Sequence, residues 1–245
     1  MLIRSIPQTH PLKLSMKSAS LAAHFLAVGV MSFVYGCAHI LPHQQLTHTL
    51  DYLQPPKITQ SQIQDTLMVY RFRLAPSVDA YALVVRRSNG TERQLGKHRW
   101  SENPADMITD LIQRDITGAG PFSRTIGQYS DDQYRYALEG KVLELRGVEE
   151  NKKIFAVLEV KVTLTDFEAP FGGKKLLLDK SYKVRMPCTD DKPRTIVQAL
   201  GKGTQEFSAL LLRDINKTMN QPTSGGTRKV QIWPAIARAA VQFTA

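Results

Sequence analysis

Residues Ile154–Phe167 constrain the fold more than any other stretch of the sequence. Ile154, Ala156, Leu158, Val160, Val162 and Leu164 fall on one side of an extended chain. Phe155, Val157, Glu159, Lys161, Thr163 and Thr165 fall on the other. A period of two marks a strand, and a strand with one apolar and one mostly wet face suits an antiparallel sheet covered on one side.

Two amphipathic segments can supply the cover. The first is capped by Asn103, has Pro104 at the first helical position, where a missing N–H costs nothing, and has Asp106 in its first turn. Met107, Ile108, Leu111, Ile112 and Ile116 recur at helical spacing, and Gly118 and Gly120 stop it. The second opens at Asp191 with Pro193 inside it and ends near Met219. Its stripe is Ile196, Val197, Leu200, Phe207, Leu210, Leu211 and Ile215. Gly201 and Gly203 each weaken it by roughly 1 kcal/mol relative to Ala, unless they permit close packing on the sheet.

Strand-like runs surround these helices: Leu67–Leu74, Tyr81–Arg87, Glu92–Arg99, Phe122–Gln128, Tyr134–Arg146 and Leu176–Met186. Asn89-Gly90 predicts a type I′ hairpin, and Gly147–Lys152 predicts a turn. Strands in runs, without strand–helix alternation, predict an α+β fold. The expected architecture is a single antiparallel sheet with both helices packed on one face.

The N-terminus speaks to location. Lys17 precedes an apolar run from Leu21 that ends in Val34-Tyr35-Gly36-Cys37. A positive residue, an apolar core and a small residue before the cut mark a secretory signal peptide, and the run is short for a membrane span. Its end resembles the bacterial lipobox, in which the cysteine is acylated and becomes the mature N-terminus, although Tyr35 is bulkier than the usual residue. The alternative is an ordinary signal peptide that contains a cysteine. Two or more acyl chains give stable anchoring. By resemblance to lipoprotein sorting rules in Gram-negative bacteria, Ala38 after Cys37 favours the outer membrane. Met16-Lys17-Ser18 reads as the more ordinary start, with residues 1–15 an upstream gene-calling extension. The expected organisation is a signal peptide over 1–36, a lipidated Pro-rich tether over 37–64, a domain over 65–219, and a linker and tail over 220–245.

Removing 1–36 takes away Arg4, Lys13 and Lys17, so the mature charge is 29 − 22 = +7. There is no arginine-rich helix or aromatic-basic motif, so nucleic acid is not an expected partner. A basic surface in the periplasm meets anionic head groups or an acidic partner, or is a solvated mixed surface. With Cys37 acylated, Cys188 is left alone and reads as a partly buried small residue. His39, His43 and His48 are interrupted by Pro42 and lack a completing ligand, so no metal and no cofactor beyond the lipid on Cys37 are expected. A Gly-x-Ser-x-Gly elbow, a Walker loop and HExxH are all missing, so no enzyme is expected. Asp131-Asp132 and Asp190-Asp191 are adjacent carboxylates whose side chains diverge.

The order of features resembles the ABC-type transport auxiliary lipoproteins, the PqiC-like group. The resemblance begins at the lipobox and Tyr52-Leu53-Gln54-Pro55. It continues through Leu67-Met68-Val69, Val84-Val85-Arg86, His98-Arg99-Trp100 before the first helix, Gly120-Pro121-Phe122, the strand at 136–145 and the Asp191–Ile215 helix. It implies an outer-membrane lipoprotein facing the periplasm. Such a protein is a docking component working with an MCE-domain protein and ABC transporter subunits in moving lipids or hydrophobic solutes, and some members form homo-oligomeric rings. Arg86, Arg87, Arg99 and Trp100 are the candidate partner-binding residues, with Trp100 alternatively a cap on the core. A second reading is a lipoprotein that stabilises another envelope machine, such as a peptidoglycan synthase or an outer-membrane assembly barrel. A third, a lipid carrier, needs an apolar cavity.

Overall fold

The computed structural model describes residues 45–56, 63–169 and 173–220. The elements are β1 (Leu46–His48), β2 (Ile63–Val69), β3 (Arg73–Leu74), β4 (Ala82–Arg86), β5 (Glu92–Trp100), α1 (Pro104–Ala119), β6 (Phe122–Gly127), β7 (Tyr136–Glu150), β8 (Lys153–Ala169), β9 (Gly173–Cys188) and α2 (Pro193–Asn220). The class is α+β, as the sequence predicts.

The backbone of the sheet is an antiparallel ribbon of three long strands, β7, β8 and β9, of 15, 17 and 16 residues. β7 turns into β8 through Asn151 and Lys152, both in the left-handed region at φ 50° and 60°. Those are the angles of a type I′ turn, whose twist matches the strands it joins. The strand therefore runs on through Gly147 to Glu150 and reverses at the end of the predicted Gly147–Lys152 turn.

The expected all-antiparallel sheet is corrected to a mixed one. Three short strands share the other edge of β7 and run parallel to it: Leu67 pairs with Tyr136, Arg73 with Lys141 and Val85 with Gly147. β2 also pairs parallel with β6, and β1 with β5, while β4 and β5 form an antiparallel hairpin. Parallel neighbours need a crossover. β5 and α1 return the chain before it enters β6 and β7.

The predicted strand Leu67–Leu74 is broken in two because its middle donors leave the ladder. Arg71 N–H donates to Gln128 Oε1 at 3.0 Å, and Phe72 N–H donates to Thr109 Oγ1 at 2.9 Å. The Phe72 ring then lies on Gly140, where a Cβ would sit 2.5 Å from it. The Asn89-Gly90 hairpin exists with a different turn. Within the loop only Gly90 has positive φ, at 83°, and Gly90 N–H donates to Arg87 O at 2.9 Å. That is a three-residue loop closed by a left-handed glycine.

The two faces of the ribbon separate as the alternation predicts. Ala156, Leu158, Val160, Val162 and Leu164 are buried under the helices with Leu138, Val142, Tyr182 and Val184. A β-bulge between Val142 and Glu144 inserts Leu143. After it, Leu145 and Gly147 face the helices and Glu144 and Arg146 face the other way. Ile108, Ile112 and Ile116 of α1 and Ile196, Leu200, Phe207, Leu211 and Ile215 of α2 complete the core. Fully burying a side chain of this kind contributes about 1.5–3 kcal/mol. Gly203 packs against Val184 and Met186 of the sheet, as one reading of the glycine pair expects; Gly201 packs instead under the N-terminal arm.

That arm corrects the expected tether. In its described part, 45–56, the segment belongs to the folded unit: Leu46 pairs with His98, His48 pairs with Trp100, and Leu50 is buried. Cys37 and the tail 221–245 lie outside the described residues.

Candidate functional site

The helix face is organised by one buried carboxylate. Asp115 of α1 is fully buried and accepts hydrogen bonds from Tyr52 Oη at 2.7 Å, Ser208 Oγ at 2.6 Å and Arg114 Nε at 2.9 Å. It thus joins the arm, α1 and α2. A buried charge is tolerated only when its lone pairs are filled in this way. Burial and the bond to Asp115 push the Tyr52 phenol well above its ordinary pKa. The Arg114 guanidinium stacks 4.8 Å from the Tyr52 ring and donates to Tyr52 O at 3.2 Å.

The rest of the arm is fixed by backbone contacts. Gln205 Nε2 donates to Leu53 O at 3.0 Å and Gln54 Nε2 donates to Arg114 O at 3.2 Å. Gly201 permits the approach, since a Cβ there would lie 2.7 Å from Asp51 O. Upstream, His48 Nε2 and His98 Nδ1 share a hydrogen bond at 2.8 Å. Residues 46–54 form a strap that leaves β5 and crosses both helices.

The open face of the ribbon is different in kind. Glu144, only 8% exposed, is the centre of a charged network. Arg86 Nη2 and Arg146 Nε approach it at 3.7 and 3.5 Å, and Lys183 Nζ lies 3.1 Å from Glu144 and 2.9 Å from Glu159. Arg146 also pairs with Glu92. Arg185 holds Glu150 with both terminal nitrogens, at 2.9 and 2.6 Å, and stacks 3.8 Å from the Phe155 ring. The hydrogen bonds to Glu159 and Glu144 raise the Lys183 pKa, so its charge is fixed. Val157 stands in register between Arg146 and Arg185 and is buried beneath this layer. Long basic side chains cover apolar surface with their stems while keeping their heads in water.

The predicted partner-binding residues divide. Arg86 and Arg87 are exposed at the end of β4, paired with Glu144 and with Glu149 at 3.6 Å. Arg99 is exposed opposite Ala82, four positions down β4 from Arg86, about 13 Å away along a strand. Trp100 is corrected: at 3% exposure it is a core residue under the first helix, out of a partner's reach. The Glu144 network and the Tyr52–Asp115–Ser208 junction are not picked out by sequence reading. The polar side of the 154–167 alternation signals the first; nothing in the stripe of α1 marks Asp115.

Among the described residues, no three His, Cys, Asp or Glu side chains group as a metal site requires. A cavity of about 550 Å³ lies between the β7–β8 turn and the start of α2, lined by Val85, Ile154, Phe155 and Cys188 and rimmed by Arg87, Arg93, Lys152 and Asp191. Burial raises the Cys188 thiol pKa, which makes it a poor nucleophile.

Residues 48–211 match the family of ABC-type transport auxiliary lipoprotein components, and the chain belongs to that family. The match opens within the strap and closes within α2. No curated protein matches the sequence. Among solved structures, protein XCC0632 from Xanthomonas campestris shares 15% identity over 71% of this chain and 97% of its own, with a TM-score of 0.61, which shows the fold. A hypothetical protein, CT253, from Chlamydia trachomatis matches at 10% identity over 64% of this chain and 96% of its own, with a TM-score of 0.44. Lipoprotein GNA1162 from Neisseria meningitidis matches at 11% identity over 62% and 99%, with a TM-score of 0.32. The PelC dodecamer from Paraburkholderia phytofirmans matches at 12% identity over 62% and 91%, with a TM-score of 0.32. The last three are too distant to carry an argument. Family membership assigns the chain to membrane-anchored envelope lipoproteins associated with transporter systems.

Proposed function

We propose that this protein is anchored through lipid on Cys37 to the periplasmic face of the outer membrane. There it docks an MCE-domain protein and its ABC transporter subunits, in a system that moves lipids or hydrophobic solutes across the envelope. It hydrolyses nothing. Assembly into a homo-oligomeric ring belongs to the same reading. The family match over 48–211 carries it, and the strap gives it a physical form.

The strap shortens the tether. From Cys37 to Gln45 there are 45 − 37 = 8 residues. At full extension these span at most about 28 Å, so the domain stays close to the membrane. The strap enters across the helices, which leaves the charged sheet face, with Arg86 and Arg99, for the partner; Arg87 stands beside it at the end of the sheet, on the rim of the Cys188 cavity. The cavity beside Cys188 is rimmed by charge, which does not suit a carrier of apolar solute. Affinity purification of the tagged full chain from gently solubilised envelopes, with mass spectrometry, tests the reading. Recovery of an MCE-domain protein with ABC subunits is expected. Recovery of a peptidoglycan synthase or an assembly barrel, with no MCE protein, would overturn it.

A further inference from the structure

β9 closes one side of the sheet, and its outer edge has no partner strand among the described residues. The other edges are short: β6 has six residues and β1 has three, against sixteen for β9. A long open edge is a template for another strand, and proteins keep such edges short unless they are used or guarded. Leu178 pairs with Leu164 and Leu176 with Thr165, so Leu177 is a bulge that ends the regular stretch. Above it, Leu178–Cys188 is regular.

We propose that this edge pairs antiparallel with the same edge of a second copy of the chain, about a two-fold axis at Ser181. The ground is the self-complementarity of the sequence in that register. Ser181, small and exposed, meets itself on the axis. Asp179 faces Lys183 twice, Lys180 faces Tyr182, and half-buried Leu178 faces Val184. Opposite charges directly across a ladder stabilise it, and like charges destabilise it. Centring on Asp179, Lys180 or Lys183 sets like charges face to face. Centring on Tyr182 sets Asp179 against Arg185, whose terminal nitrogens already hold Glu150. Lys183 has three N–H donors, of which Glu144 and Glu159 take two, and its side chain is 58% exposed, so one remains for the Asp179 of the other copy; Asp179 is held by Lys161 through Oδ1 at 3.0 Å and keeps its second oxygen for that bond.

The axis stands perpendicular to the sheet, so both copies keep their helices and straps on one side of a continuous joint sheet. The contact is isologous and closes on itself, unlike the head-to-tail contacts of a ring. The pairing of one strand from each copy buries less than a standard interface. The dimer is therefore weak in solution, and crosslinking is the fitting readout.

The test uses the full chain with Cys37 and Cys188 changed to Ala and one new thiol introduced. Under mild oxidation, S181C is expected to give disulfide-linked dimer as the major species and K180C only traces. In the S181C background, Lys183→Asp sets aspartates opposite each other and abolishes the dimer; adding Asp179→Lys restores the opposite-charge pair and the crosslink. Circular dichroism confirms that each variant is folded. Equal crosslinking of S181C and K180C, or a charge swap that fails to restore what the single change removes, overturns the proposal.

Discussion

The two faces of the β7–β9 ribbon use charge in opposite ways. On the helix face, one carboxylate is taken fully out of water, and three donors from three segments converge on it. On the open face, many charges pair with one another at the surface, and most remain wet. The free energy follows that contrast. A buried charge that loses a partner costs several kcal/mol, whereas an exposed pair contributes about 0–1 kcal/mol. The helix face therefore fixes the arm and the fold, and the open face can change its partners at little cost.

Substitutions can break or sharpen this comparison. Phe207→Ala removes a fully buried ring that packs on Tyr182, and is expected to cost about 3–5 kcal/mol in urea unfolding. Asp115→Ala strands the donors of Tyr52, Ser208 and Arg114, and is expected to cost about 3 kcal/mol and to expose 45–56 to limited proteolysis. Gly201→Ala drives a methyl into Asp51 O and is expected to cost about 1–3 kcal/mol, with the same proteolytic signature. Lys183→Ala on the open face is expected to cost under about 1 kcal/mol, screened further by salt. A loss there as large as that of Asp115→Ala would erase the distinction between the faces.

The smallest effect is a pH dependence at the root of the strap. Burial, then the neighbouring His98, lower the His48 pKa. The unfolded chain then binds the proton more readily, so stability rises with pH in this window. The contribution is complete above the unfolded value of about 6.5 and is lost as pH falls below it towards the lower folded value. The urea midpoint should drop between about pH 7.5 and about pH 5.5, and H48N should flatten that slope.

Local chemistry made much of the fold legible. Asn103, Pro104 and Gly120 bracket a helix observed over Pro104–Ala119, and Asn103 Oδ1 accepts from Ala105 N–H at 2.9 Å, as a cap should. The alternation placed the side chains of residues 154–165 of β8 on their observed faces. Pairing partners were not legible, because β2, β3 and β4 reach β7 only after the chain has passed through β5 and α1. The type I′ turn was expected at Asn89-Gly90 and occurs at Asn151-Lys152. There the register of two long strands imposes left-handed angles on Asn151, a residue that adopts them readily, and on Lys152, which does not advertise them. The strap was hidden because its partners lie far away: Tyr52 meets Asp115 and Gln205 meets Leu53, contacts that no local pattern encodes. Trp100 carries two readings in the sequence, partner contact or cap on the core, and its burial decides for the core.

The most direct test asks whether the open face meets the transporter while the strapped face does not. The tagged full chain and its Arg86→Glu/Arg87→Glu variant, with Arg99→Glu as a second variant, would be purified from the same envelopes and their partners quantified. The account predicts that the parent recovers the MCE-domain protein and ABC subunits. Each variant should stay folded and membrane-bound and recover several-fold less of them. Undiminished recovery by both variants would contradict it.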